Sequence, residues 1–352
     1  MTNPDVHLAK REGFMSRCLV FLSVFLLSMS SGLVPAAASE WRILAQFDDA
    51  PEGLVADGKG GFYVSLFHSG HVMQVAKDGT VRKVADLRTV IGSAKGSTVG
   101  IDWDGADKLY VAFSEYSKRF PWPAKAKLSV EACGDATVTR SGLYAVSLST
   151  GTVEPVVTRA DGYPFCFPDD PVIASDGSIY LSDLSLQAIW KIDPKEKSAV
   201  LWSKDPLFSP GDKSLSGYPV GVNGIALAGD ESALFGVTGG IPMLVKVPIN
   251  ADGSAGKAEM LTFGYDNMDG LEVDAEGNFY LTETLRSEIW KVSPDARKRE
   301  QLGNPLQAPL GAPASLAFGA EDICVTNLNF FKHLPEEKAN SIACRKLGAP
   351  LW

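Results

Sequence analysis

The sequence predicts an all-β fold, a six-bladed β-propeller, on three observations. A turn-plus-strand unit recurs six times along the chain. The recurrence falls near the length of one four-stranded blade. Helical periodicity is scarce throughout.

The six units align on one column. They are "GKGGFYVSL" at Tyr63, "GADKLYVAF" at Tyr110, "SDGSIYLSD" at Tyr180, "DESALFGVT" at Phe235, "AEGNFYLTE" at Tyr280 and "GAEDICVTN" at Cys324. Each is a cluster of turn formers followed by an alternating strand. A second strand follows most of them, as in "HVMQVAKDG", "AIWKIDPKE" and "EIWKVSPDA", and a third comes next in "TVRKVADL", "TVEPVVT" and "SAVLWS". The column positions are 47, 70, 55, 45 and 44 residues apart. The long interval places an insertion in the second blade, "YSKRFPWPAKAKLSVEACGDATVTR". Blades are expected to start near residues 48, 97, 165, 219, 265 and 312. The strand "EWRILAQF" precedes the first unit and is expected to complete the last blade, which closes the ring and protects its sheet edges.

The first 38 residues stand outside this scheme. Lys10, Arg11 and Arg17 precede or enter the apolar run "CLVFLSVFLLSM", and Ala36-Ala37-Ala38 follows. That order reads as a secretory signal cleaved after Ala38, leaving 39–352 as one propeller domain that is secreted or periplasmic. Export makes Cys133, Cys166, Cys324 and Cys344 candidates for pairing, and closeness in sequence favours Cys324–Cys344 and Cys133–Cys166. The chain is 45% hydrophobic and 21% charged, with a formal net charge of -9. An acidic balance of this size argues against nucleic acid and against an anionic membrane surface as partners. The expectation is a monomer acting on a small molecule.

One phase of the repeat is chemically distinctive. Eleven or twelve residues before the column stand Pro51-Glu52-Gly53, Pro168-Asp169-Asp170, Val222-Asn223-Gly224 and Met268-Asp269-Gly270; the other two blades have Val99-Gly100 and Ala314-Ser315. In a propeller the same phase lies at the same height around the axis, here where the innermost strand begins. Glu52, Asp169, Asn223 and Asp269 are therefore expected to converge. Three carboxylates at that separation repel and desolvate one another, and a bound cation relieves both effects. The set offers only oxygen, which suits Ca²⁺ first, with Mg²⁺, Mn²⁺ or Zn²⁺ as alternatives. Taken singly, each residue also fits an ordinary turn cap. His68 and His71 in "FHSGHVMQV" and His333 in "FFKHLPEEK" read as residues of solvated turns.

The segments "PEGLVADGKGGFYVS", "PDDPVIASDGSIYLSD", "VNGIALAGDESALF" and "MDGLEVDAEGNFYLTE" resemble the repeats of the gluconolactonase and senescence marker protein (regucalcin) family. The resemblance covers most of the chain after residue 38. It implies a six-bladed propeller with a divalent metal at the channel mouth, and in many members hydrolysis of sugar lactones. It also implies that Glu52, Asn223 and Asp269 are direct ligands. Asp169 stands where the family usually has Asn, and Pro171 replaces its usual Gly. The implied chemistry is metal-assisted attack of water on a lactone or ester carbonyl, with Asp269 or Asp169 as general base or a water on the cation as nucleophile. Family loops roof the pocket near Phe120, Trp122, Tyr163, Phe165 and Phe167; Asp170, Phe165 and Trp122 are the expected substrate contacts. A non-catalytic propeller pinned by a structural metal is the alternative, and an open pocket beside the cation distinguishes the two.

Overall fold

A computed structural model of the chain describes residues 41–116, 137–160, 165–209 and 220–347. They form six four-stranded antiparallel sheets. From the inside out, the first blade is Pro51–Ala56, Phe62–Leu66, His71–Val75 and Val81–Asp86, and the second is Gly96–Trp103, Lys108–Glu115, Gly142–Ser147 and Val153–Val157. The third is Pro168–Ile173, Ile179–Asp183, Ala188–Asp193 and Ser198–Ser203. The fourth is Val222–Leu227, Ala233–Thr238, Met243–Pro248 and Glu259–Phe263. The fifth is Met268–Val273, Phe279–Glu283, Glu288–Val292 and Arg299–Gly303. The sixth is Pro313–Phe318, Asp322–Asn327, Ser341–Lys346 and, on its outer edge, Arg42–Gln46.

Closure is therefore made by the strand that precedes the first blade, as expected. Arg42–Gln46 runs antiparallel to Ser341–Lys346, so the first described strand is hydrogen-bonded into the last sheet. Each innermost strand packs against the innermost strands of both neighbours, and the sixth meets the first. The aligned column explains the lateral packing. Tyr63, Tyr110, Tyr180, Tyr280 and Cys324 are all buried between blades, each within an apolar cluster. Burial of each aromatic side chain there contributes on the order of 2–3 kcal/mol.

Cys324 and Cys344 face each other directly across neighbouring strands and are joined by a disulfide. The other expected pair includes Cys133, which lies outside the described residues, as does most of the second-blade insertion.

A candidate metal centre at one mouth of the channel

All six innermost strands slip register against their second strands at one phase, between Pro51 and Leu54, Thr98 and Ile101, Pro168 and Pro171, Val222 and Ile225, Met268 and Leu271, and Pro313 and Leu316. Such a bulge re-aims the side chains it contains. Here it fixes the phase that carries Glu52, Asp169, Asn223 and Asp269.

A hydroxyl on the second strand holds the bulge in several blades. The Gly53 N–H donates to Ser65 Oγ (2.9 Å), and that hydroxyl donates to the Val99 carbonyl of the next blade (2.6 Å). The Gly270 N–H and Thr282 Oγ1 (2.8 Å) repeat the pattern onto the Ala314 carbonyl (2.7 Å). The Ser315 N–H and Thr326 Oγ1 (3.0 Å) repeat it onto the Glu52 carbonyl (2.6 Å), across the seam of the ring. The backbone of a candidate ligand is thus tied to its neighbouring blade. The glycine after it has a steric cause. A Cβ at Gly270 would lie 2.5 Å from the Ala314 carbonyl oxygen, closer than real Cβ atoms come.

The four side chains converge. Glu52, Asp169 and Asp269 place carboxylate oxygens within 4.8 Å of one another. Glu52, Asp169 and Asn223 are buried, and Asp269 is half-buried. Asn223 donates from Nδ2 to Asp269 Oδ1 (2.7 Å) and to the Met268 carbonyl (3.2 Å). That leaves its Oδ1 buried with no hydrogen-bond partner, and Glu52 Oε2 is in the same state. Burial, then the charges of Asp169, Asp269 and Asp170, push the Glu52 carboxyl well above its ordinary range. Burial, then Asp269, Asp170 and Asp183, do the same to Asp169. Burial raises Asp269 to about 7 against the lowering effect of the Asn223 hydrogen bond. Three crowded acids and two orphaned acceptors form a donor set lacking a positive partner. Hard oxygen donors in this number fit Ca²⁺, Mg²⁺ or Mn²⁺ better than Zn²⁺.

A pocket opens on this cluster. Besides the four candidate ligands it is lined by Phe67, Val99, Phe167, Leu184, Val220, Asn267, Thr284, Leu328, Phe330 and Phe331. Most of its wall comes from loops at the ends of second strands. Buried acids there anchor the approach to the innermost strands. Asp183 accepts the N–H groups of Cys166, Phe167 and Leu186 (2.9–3.0 Å), and Glu283 accepts Trp290 Nε1 (2.9 Å).

Two expected substrate contacts are placed elsewhere. Phe165 is buried and packs on Trp190, with ring centroids 4.7 Å apart; Phe167 faces the pocket instead. Asp170 lies within the bulge beside Asp169 but lines a second cavity with Asp102 and Glu272, accepting the Ile225 N–H of the next blade (2.9 Å). Burial raises Asp170 to about 8, Glu272 to about 8 and Asp102 to about 6. Trp122, Phe120 and Tyr163 lie outside the described residues. His68 packs its ring edge-on to Phe67, His71 Nε2 lies 3.4 Å from Asp86, and His333 Nδ1 bonds Ser287 Oγ (2.6 Å). Asn267, Thr284 and the aromatic residues of the Leu328–Phe331 loop carry no repeat signal, and sequence reasoning missed them.

The pattern of the SMP-30/Gluconolactonase/LRE-like region matches residues 118–328. Nothing among curated proteins matches the chain. Similar solved structures include a gluconolactonase from Xanthomonas campestris, 15% identical, covering 88% of this chain and 92% of that one with a TM-score of 0.60. Regucalcin from Agrobacterium tumefaciens, described as a calcium-binding protein, is 15% identical over 87% of this chain and 93% of that one, with a TM-score of 0.59. The PQQ-bound aldose sugar dehydrogenase of Streptomyces coelicolor is as similar, 15% identical over 87% and 96% with a TM-score of 0.58. Likeness at these identities shows the fold; chemistry has to be argued from the site.

Proposed function

From the premise that this chain belongs to the SMP-30/Gluconolactonase/LRE-like family, we propose that it is an exported, divalent-metal-dependent hydrolase of lactones or related esters. One observation carries the reading. Three carboxylates converge within 4.8 Å, beside an amide oxygen without a partner, at the floor of a pocket that the described residues leave open. A cation serving only as a pin would favour a site closed by protein oxygen.

Glu52, Asn223, Asp269 and Asp169 would hold the cation, Ca²⁺ first among the candidates. When bound, such a cation supplies Lewis-acid polarisation of a carbonyl oxygen and charge neutralisation as the carbonyl carbon becomes tetrahedral. Asp269 is the general base in this reading, because it is the least buried of the three acids and Asn223 Nδ2 fixes its carboxylate. It takes a proton from water as the water oxygen bonds to the carbonyl carbon. The ring or ester C–O bond then breaks, and the departing oxygen receives that proton. Asp169, more deeply buried, holds position and charge at the site.

Export is supported by the Cys324–Cys344 bond, since disulfides persist in oxidising compartments. The basic, apolar and small-residue order of residues 1–38 supplies the signal. The test is a panel of lactones and aryl esters with the mature protein, with and without chelator. Turnover that chelator abolishes and Ca²⁺ restores is expected. Chelator-insensitive turnover contradicts metal dependence. No turnover on any member returns the chain to a binding role.

A further inference from the structure

The pocket wall beside the acid cluster is apolar and aromatic. Phe67 and Phe167 stand over the floor, and Phe330 and Phe331 overhang the mouth while remaining 44% and 42% exposed. Phe330 meets Phe67 edge to face with ring centroids 5.2 Å apart, so the overhang is packed in place from one side. Two adjacent exposed phenylalanines at the rim leave apolar area in water that an apolar ligand would cover. The polar side is correspondingly thin. Apart from the four candidate ligands, the only polar side chains lining the pocket among the described residues are Asn267 and Thr284. These two bond each other, Asn267 Nδ2 donating to Thr284 Oγ1 at 2.6 Å, which leaves Asn267 Oδ1 buried without a partner. A polyhydroxylated sugar ring would bury several hydroxyls against phenylalanine and leucine, with Asn267 Oδ1 as the one unpartnered side-chain acceptor of the lining outside the candidate ligands among the described residues, and burying a hydroxyl without a partner is costly.

We infer that the substrate is a lactone or ester carrying an apolar chain or ring, its carbonyl at the acid cluster and its apolar part against Phe67, Phe167, Phe330 and Phe331. The inference rests on the hydrolase reading for its turnover, and on the pocket wall alone for its binding. Both rim residues are exposed, so Phe330→Ser and Phe331→Ser leave the packed blades intact.

The experiment measures kcat/KM of the Ca²⁺-loaded protein on γ-dodecalactone, γ-butyrolactone and glucono-δ-lactone. It also measures calorimetric binding of 5-octyl-2-pyrrolidinone, the lactam that cannot be hydrolysed in the same way. Dodecalactone is expected to exceed both other substrates by about 100-fold, since even a single methylene in an apolar pocket is worth about 10-fold or more. The Phe330→Ser/Phe331→Ser double variant is expected to lower the dodecalactone-to-butyrolactone ratio about 10-fold, through KM. Preference for glucono-δ-lactone, or an unchanged ratio in the double variant, overturns the inference and leaves the hydrolase reading standing. If no lactone is turned over, the hydrolase reading fails. The binding half of the inference then stands if the octyl lactam binds wild type and binds the double variant more weakly, and falls if it binds neither or binds both equally.

Discussion

Replacing Asp169 by Asn removes one charge from the cluster at nearly constant shape. In wild type its carboxylate lies within 4.8 Å of those of Glu52 and Asp269. Two unit charges at that separation repel by about 3.5 kcal/mol at an effective dielectric constant of 20. Asp169 faces two such partners. Burial first, and this repulsion after it, hold the Glu52 and Asp169 carboxyls well above the ordinary carboxylate range, so without a cation the protein relieves part of the repulsion by taking up protons. The gain left for the metal-free Asp169→Asn protein at pH 8 is therefore about 1–3 kcal/mol, or about 2–6 °C in melting temperature. The charge that destabilises the metal-free form attracts the cation, so the same change weakens Ca²⁺ binding at least about 10-fold, which is about 1.4 kcal/mol of ligand-linked stabilisation. Scanning calorimetry of both proteins in EDTA and in CaCl₂ reads both effects. The variant should melt higher in EDTA and gain less from Ca²⁺. An unchanged EDTA midpoint together with an unchanged Ca²⁺ increment refutes the shared-site argument.

Three further outcomes follow from the fold. Burial raises Glu272, which also faces Asp102 and Asp170, to about 8 and Asp102 to about 6, so both favour the protonated form in the folded state. Their contribution to stability is complete below about pH 4 and is lost as pH rises through about 6 and about 8, at about 1.4 kcal/mol for each tenfold gain in proton affinity on folding. Melting temperature should fall across that window, and Glu272→Gln should flatten the fall; an equally steep curve in the variant sinks this assignment. Cys344→Ser opens a cross-link spanning a sequence separation of 20 residues, worth about 3 kcal/mol by loop entropy, and should lower the denaturant midpoint without changing Ca²⁺ affinity once folded. Gly270→Ala drives a methyl toward the Ala314 carbonyl oxygen and should destabilise by about 2 kcal/mol or more, read in the same denaturant titration.

What the sequence made legible was whatever the repeat encodes. Tyr63, Tyr110, Tyr180 and Tyr280 recur because each fills the same gap between blades. Glu52, Asp169, Asn223 and Asp269 recur in phase because every innermost strand bulges at one place, so counting along the chain amounts to reading height along the axis. The expectations that strayed concern residues that the repeat does not constrain. Asp170 directly follows Asp169, yet the register slip between Pro168 and Pro171 parts the two, and Asp170 goes to the second cavity. Phe165 and Phe167 are separated by one residue, and only the contact with Trp190 shows which one turns inward. Asn267, Thr284, Phe330 and Phe331 reach the pocket from loops that differ from blade to blade, where no register carries information.

Asp269 and its three partners, Glu52, Asp169 and Asn223, are proposed to hold one divalent cation. The direct measurement is calorimetric titration of Ca²⁺ into chelator-stripped protein, wild type and Asp269→Ala, at pH 8. Asp269→Ala removes an anionic ligand and the acceptor that holds the Asn223 amide. One Ca²⁺ per wild-type chain at this site is predicted, with an affinity at least about 100-fold weaker or undetectable in Asp269→Ala, in line with loss of a charged ligand. Equal stoichiometry and equal Kd in the two proteins would contradict the metal centre and the hydrolase built on it.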